Sequence, residues 1–391
     1  MKNLRFAISP LLLVITIGTF FIGGYWLWAG FLFVTLLPRL GDLIFGDEAE
    51  THGTGPKWLM EIFHFSIMPL MAILSLLLLY YVGGASMSWL EILARWIGAD
   101  IANARSHTGF GGLLGGVLTL AIFQGSAGVI VGHEFMHRAT NPVFRWLGLW
   151  MIAPTGFVAI SLEHVKGHHL NVGIPGDPET AIRGIGFWRF MVENIVATNR
   201  DAVVREQGRL HRAGIHWLSF GNRLFHGFAL SFLIAGLFVL AAGWAGLLVF
   251  AAIAGIGSIC ITLFSYIAHY GLVRVPGTRI EARHSWNSYK FWSSSSMFNL
   301  MRHADHHLHS SRPYWKLESR AGCPVFPYGA TIMAGLALFP PLWHKVVAAP
   351  LADWDADLAT NSELRLLRQV EIIRNACVEA PDLQGIGNKT N

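Results

Sequence analysis

Apolar residues gather into six long runs, from about Phe6 to Gly24, Tyr25 to Phe45, Phe63 to Val82, Gly109 to Val131, Phe225 to Ala242 and Leu247 to Ala268. Each approaches the ~20 residues that a helix needs to cross a bilayer, so the pattern predicts an all-α integral membrane protein with six transmembrane helices. The first run follows Met1-Lys2-Asn3-Leu4-Arg5 and has the charged start of a signal peptide, but lacks a convincing small-residue cleavage site. With the second run following at once, the pair reads as a retained hairpin. Ser88 to Ile101 is too short and polar to span and fits an interfacial helix. Phe326 to Val347 is broken by Pro340-Pro341 and ends in Trp343, His344 and Lys345, so it is expected to lie on the membrane. The pattern divides the chain into a membrane-embedded domain over 1–350 and a polar tail over 351–391, whose end, Gln384 to Asn391, is expected to be disordered.

Loop charges orient these elements. The turns at Gly23-Gly24 and Gly243-Trp244 carry no Lys or Arg, whereas Lys2, Arg5, Lys57, Arg138, Arg145, Lys166 and the basic residues of 183–212 share the other side. The positive-inside bias makes that side, with both termini, cytoplasmic, in a plasma (inner) membrane crossed several times. Hydrophobic residues make up 53% and charged residues 14% of the chain, with mean hydropathy +0.45, which excludes an ordinary soluble protein. The net charge of +5 is scattered between apolar runs, without the basic stripe and stacking aromatics that nucleic acid requires. Cys260, Cys323 and Cys377 have no C-x-x-C spacing, so any metal must be held by nitrogen and oxygen.

Such ligands are abundant. Arg302-His303-Ala304-Asp305-His306-His307 places three imidazoles at i, i+3 and i+4, on one face if helical. His309 falls off that face and reads as a bystander. The fourth span runs into His133-Glu134-Phe135-Met136-His137, a second box reads Glu163-His164-Val165-Lys166-Gly167-His168-His169, and His269 ends the sixth span. His133, His137, His164, His168, His169, His269, His303, His306 and His307 are nine candidate ligands, too many for one ion, so two metals are implied. His-Glu-x-x-His is also the signature of a membrane zinc metalloprotease with Glu134 as base, but that chemistry leaves six of the imidazoles without a task. Ligand type does not choose among zinc, copper, iron and nickel. A substrate arriving from lipid is mostly hydrocarbon, and attack on unactivated C–H bonds with O2 favours iron, with copper open.

Together, His-Glu-x-x-His-Arg, Glu-His-x-x-Gly-His-His, His-Tyr-Gly-Leu and Leu-x-Arg-His-x-Asp-His-His resemble the integral-membrane alkane 1-monooxygenases of the desaturase and hydroxylase superfamily. The likeness extends to Met87-Ser88-Trp89-Leu90-Glu91-Ile92, Asp177-Pro178, His284-Ser285-Trp286-Asn287-Ser288 and Pro340-Pro341-Leu342-Trp343, and covers the chain to about Trp354. It implies six spans over a cytoplasmic di-iron centre bound by the nine histidines. It also implies hydroxylation of the terminal methyl of a medium-chain n-alkane with O2. Electrons would come from rubredoxin or ferredoxin and its NAD(P)H-dependent reductase, both separate because the chain has neither Cys-x-x-Cys nor G-x-G-x-x-G. Where such enzymes usually carry Glu before His-Tyr-Gly-Leu, this chain has Ala268. The xylene monooxygenase hydroxylase components also lack that Glu and resemble this chain at Gly24-Tyr25-Trp26, Leu272-Val273-Arg274 and Asp353-Trp354-Asp355, so hydroxylation of alkyl-aromatic methyl groups is the alternative.

Carboxylates orient ligating imidazoles through their free N–H, and Glu134, Glu163, Asp177 and Asp305 are the nearest candidates, with His284 as a further supporting group. His211, His216, His226 and His344 lack ligand spacing and read as structural. Phe20, Phe21, Phe31, Phe33, Trp26 and Trp28 could line a hydrocarbon tunnel up to the metals, but read first as lipid-facing or packing residues.

Overall fold

The computed structural model describes residues 2–48, 55–83 and 87–379. Among them the backbone is nearly all helical, with extended pairing confined to isolated bridges, Asp47 with Lys290 and Asn287 with Val325. Five helices are long and apolar enough to cross a membrane: Leu4–Ile22, Gly24–Phe45, Lys57–Gly83, Phe110–His137 and Arg223–His269. The chain is a multi-pass membrane protein.

Helices α1 (Ile8–Ile22) and α2 (Ala29–Phe45) are joined by a 3-10 turn over Gly24–Trp28. The hairpin turns at Gly23, whose φ of +82° favours glycine and whose missing Cβ leaves room for the Ala104 carbonyl. Carbonyl and amide groups freed by the 3-10 turn are met by Thr119, whose hydroxyl donates to Leu27 O at 2.7 Å and accepts from Phe31 N at 3.0 Å. In a bilayer such groups have no water to turn to. The next span is α3 (Lys57–Phe65) continued by α4 (Ile67–Gly83). Then come two short helices, α5 (Ser88–Trp96) and α6 (Ile101–Ser106); α5 leaves Trp89, Ile92, Leu93 and Trp96 exposed, as an interfacial helix does.

α7 (Phe110–Phe123) and α8 (Val129–His137) form one span interrupted by a π-turn at Gln124–Gly128. α9 (Pro142–Ile152), capped by the Asn141 side chain, returns the chain to α10 (Ile160–Glu163), a second π-turn at His164–His168 and α11 (His169–Asn171). The polar α12 (Phe187–Arg212) leads to α13 (Arg223–His269), whose start is capped by Asn222. α13 is broken at Ala242–Gly243, where Gly243 takes φ +58°; the apolar runs 225–242 and 247–268 are its two arms.

Past His269 the chain wraps the histidine-bearing end of the bundle through α14 (Phe291–Ser296), α15 (His303–Leu308), α16 (Ala330–Ala337), α17 (Pro340–Asp353) and α18 (Asn361–Glu379). The segment 326–347, expected to rest on the membrane, forms α16 and the start of α17, with the break at Pro340-Pro341. It packs on the end of α13, where Trp343 lies 5.3 Å, ring to ring, from Tyr266 and Tyr270. The first part of the tail is ordered against the same core: Trp354 Nε1 donates to Arg283 O at 2.7 Å, and Glu363 accepts from Arg283 and from His284. The tail end expected to be disordered lies outside the described residues.

Candidate metal centre

Three helical devices set the imidazoles. In α8, His133 and His137 are one α-turn apart. The π-turn at 164–168 has a longer period, so His164 pairs with His169 at i+5 and His168 faces elsewhere. α15 starts from a strained turn, Phe298 and Asn299 at φ +49° and +57°. Asn299 fixes that turn by accepting from Arg5 Nη2 at 3.0 Å and donating to Tyr314 O at 3.0 Å.

The nine histidines close into two adjoining groups, His133, His137, His164, His169 and His306 in one, and His168, His269, His303 and His307 in the other. In the first, Nε2 atoms approach at 2.8 Å between His133 and His164 and at 3.2 Å between His164 and His169 and between His169 and His306. In the second, His269 Nε2 lies 3.1 Å from His168 Nε2 and 3.0 Å from His303 Nε2. The sequence places His303, His306 and His307 on one face. In the fold that face is shared between the groups: His306 joins the first while His303 and His307 join the second.

The donor atoms fit metal ions. His164 Nδ1 meets Glu179 at 2.9 Å, His168 Nδ1 meets Asp177 at 2.8 Å and His269 Nδ1 meets the His284 carbonyl at 3.2 Å. Carboxylates and carbonyls accept, so each of these Nδ1 atoms carries a proton and each Nε2 faces its neighbours. His168 and His269 bring their Nε2 atoms to 3.1 Å, close enough to share one cation, proton or metal. Charge follows the same logic. Burial first, then the neighbouring imidazoles, hold His164, His169, His306 and His307 well below the ordinary imidazole value, as ligands require. Burial lowers His168 too, but Asp177 and Glu179 outweigh it and raise this group to about 9. The carboxylates therefore stabilise positive charge at this point, whether proton or metal.

The expected supporting carboxylates sort differently. Asp177 does orient His168. Glu134 is taken by Arg138 at 2.8 Å, which also binds Glu61 at 2.9 Å. Asp305 touches no imidazole of either group; it accepts from Arg320 Nε at 2.6 Å, Arg312 at 2.9 Å and Glu318 N at 2.9 Å, and meets His309 at 2.9 Å, tying the loop after α15 to the helix. Glu163 is fully buried with no hydrogen bond to either oxygen; Arg205 stands 3.7 Å away. Burial, with Glu179 and Asp177 nearby, raises it to about 8. His284 contributes through its carbonyl, its ring being held by Glu363 at 2.7 Å. Sequence reasoning missed Glu179, which holds His164 and accepts from Ser265 Oγ at 2.8 Å. Its signal was a second acid two residues after Asp177, past Pro178.

A cavity of about 690 Å³ reaches the first group. His133, His164 and Glu179 line its inner end, and apolar side chains such as Leu12, Ile130 and Phe264 line its walls. Phe31, one of the aromatic residues that could line a hydrocarbon tunnel but read first as packing or lipid-facing, is one of the lining residues. The second group is enclosed behind the first. His226 and His344 bond to the Phe220 and Ile185 carbonyls, apart from both groups.

These features define a membrane protein with a histidine-rich, carboxylate-supported centre suited to metal ions. The fatty acid desaturase family profile matches residues 108–322, and the chain belongs to that family, in its alkane hydroxylase branch. It is 27% identical to alkane 1-monooxygenase 2 of Alcanivorax borkumensis over 83% of this chain and 82% of that one. It is 32% identical to alkane 1-monooxygenase 1 of Pseudomonas aeruginosa over 64% and 66%. The xylene/toluene monooxygenase hydroxylase component of Pseudomonas putida is 28% identical over 94% of each chain. Membership makes this protein a membrane oxidoreductase of the monooxygenase type.

Proposed function

We propose that the nine histidines bind two iron ions and that the protein hydroxylates the terminal methyl of medium-chain n-alkanes to 1-alcohols. One C–H of the methyl becomes C–OH with one atom of O2, and the other atom leaves as water with two electrons and two protons. The electrons come from rubredoxin or ferredoxin and its NAD(P)H-dependent reductase. Bound iron supplies the activation of O2 that breaking a strong C–H bond requires. The chain's own residues position and enclose. Glu179 and Asp177 fix the tautomers of His164 and His168. The apolar wall excludes water and holds a chain whose end meets His133 and His164. Presentation of the methyl alone sets the regiochemistry, because weaker secondary C–H bonds would otherwise react first. The observation that carries this reading is an apolar cavity ending on one of two histidine groups.

The membrane is crossed six times in this reading, each arm of α13 counting once, with the histidines and both termini on the cytoplasmic face of the inner membrane. Residues 1–350 form the embedded hydroxylase and 351–391 its tail. Engagement of Glu134 by Arg138 counts against its serving as the base of a zinc protease.

A second reading, methyl hydroxylation of alkyl aromatics, is favoured by Ala268 and by the 94% coverage of the xylene/toluene relative. A competition between octane and p-xylene at equal concentration, with products read by gas chromatography, decides. 1-Octanol with little 2-octanol is the expected product; benzylic alcohol in large excess would select the second reading.

A further inference from the structure

Four cations from separate parts of the chain gather where α13 begins its span. Arg145 lies in the first turn of α9, Lys166 in the π-turn between His164 and His168, Arg209 in the last turn of α12 and Arg223 at the start of α13. A ring contact of 5.2 Å between Trp146 and His226 holds the start of α9 against that of α13. The cations feel one another: Arg223 and Arg209 repel Lys166, and Arg209 and Arg145 repel Arg223. Glu206, the carboxylate among them, is already engaged, accepting from Arg209 Nε at 2.8 Å, Arg209 Nη2 at 2.6 Å and Arg223 N at 2.6 Å. Among the described residues nothing accepts from the charged ends of Arg145, Lys166 or Arg223, and Arg145 Nε is buried without a hydrogen-bond partner. A buried donor in that state calls for an acceptor from outside the chain, and crowded cations call for an anion.

The surroundings identify what carries that anion. Ser231, two turns into α13, donates to Ala153 O at 2.9 Å just past the end of α9, so the two helices enter the membrane side by side. Trp146 and Trp150 of α9 and Phe225, Phe228 and Phe232 of α13 leave their rings exposed on this side. Aromatic rings so placed sit among head groups and the upper acyl chains, and basic pockets between membrane helices bind anionic head groups. Neither a free phosphate nor a soluble acidic protein would meet those rings.

We propose that Arg145, Lys166 and Arg223 bind the phosphate of an anionic phospholipid of the phosphatidylglycerol type, whose acyl chains lie against the exposed rings of α9 and α13. Through Lys166 the lipid ties the π-turn that bears His164 and His168 to two helices anchored in the bilayer. The site is independent of which substrate the protein oxidises.

The test uses the full-length protein in detergent, mixed with phosphatidylglycerol and phosphatidylcholine of the same acyl chains, with bound lipid read by native mass spectrometry. Wild type should retain phosphatidylglycerol and release phosphatidylcholine. Arg145→Gln and Arg223→Gln should each lower phosphatidylglycerol affinity about fivefold and the pair about thirtyfold, as about 1 kcal/mol per basic residue gives. Arg145→Lys should retain most of the affinity. Arg189→Gln, which removes an exposed cation of α12 paired with Glu193, should change nothing. Equal retention of the two lipids by wild type would overturn the proposal, and that comparison decides even where a variant fails to fold. Loss in Arg189→Gln as large as in Arg145→Gln would overturn it in favour of diffuse surface charge. Displacement of the lipid by inorganic phosphate at equal affinity would assign the cluster to a free anion. Unchanged lipid affinity in the double variant, with a raised KM for reduced rubredoxin or ferredoxin, would assign it to an acidic protein; either result would overturn the proposal.

Discussion

The two histidine groups use the same ligand type to different ends. The first, with five imidazoles, looks into the hydrocarbon cavity through His133 and His164, and its support comes from Glu179, itself part of the cavity wall. The second, with four, is shut away from the cavity and is backed by Asp177 and by the His284 carbonyl. A substrate can therefore reach one group only, and the difference assigns the first to the reacting end and the second to holding charge close behind it.

The largest test of this division removes a ligand from each group. If two ions act together as proposed, His164→Ala and His307→Ala should both abolish hydroxylation, and each should lose about one of two metals by elemental analysis. Retained turnover in His307→Ala would make the enclosed group dispensable and break the comparison. The next effect lies with the orienting acids. Glu179→Gln and Asp177→Asn should each weaken metal affinity about 10–100-fold, measured by chelator competition, with the first also altering substrate KM because Glu179 lines the cavity.

Asp305→Asn should separate support of a metal from support of a fold. Its carboxylate anchors Arg312, Arg320 and Glu318 N, so the variant should lose about 3 kcal/mol of stability while metal stoichiometry in the folded fraction stays near that of wild type. Burial would raise Asp305, but the Glu318 amide, Arg320 and Arg312 hold it below the ordinary carboxylate value. Its contribution is present above that ordinary value and is lost as pH falls through the lower folded value. The smallest effect concerns Glu363. Burial raises it, while hydrogen bonds from His284 and Thr360 prevail and bring it to about 2. Tail docking should therefore hold above about pH 4.5 and weaken toward pH 2. Glu363→Gln should cost about 1 kcal/mol, with increased proteolysis of α18 as the readout.

All nine clustered histidines were legible in the sequence because each sits in a box at helical spacing or at the end of an apolar run. Their division into groups was not. The i+5 pairing of His164 with His169 needs a π-turn, which no residue pattern in 164–168 announces, and the separation of His306 from His303 depends on where α15 is docked by the turn at Phe298–Asn299. The spans were legible as apolar runs, and the break at Gly243 as a glycine without flanking charge. Glu179 escaped because its reach to His164 is created by the fold of the loop after α11, across 15 residues of chain. Asp305 misled for the opposite reason: neighbours in sequence, it and His306 face different partners.

The central claim is that two irons sit where the nine imidazoles converge. Elemental analysis of purified protein, with Mössbauer spectroscopy of the iron-57-enriched form, tests it most directly. The account predicts two irons per chain, both in nitrogen-rich, non-haem environments. One zinc per chain with no iron would contradict it.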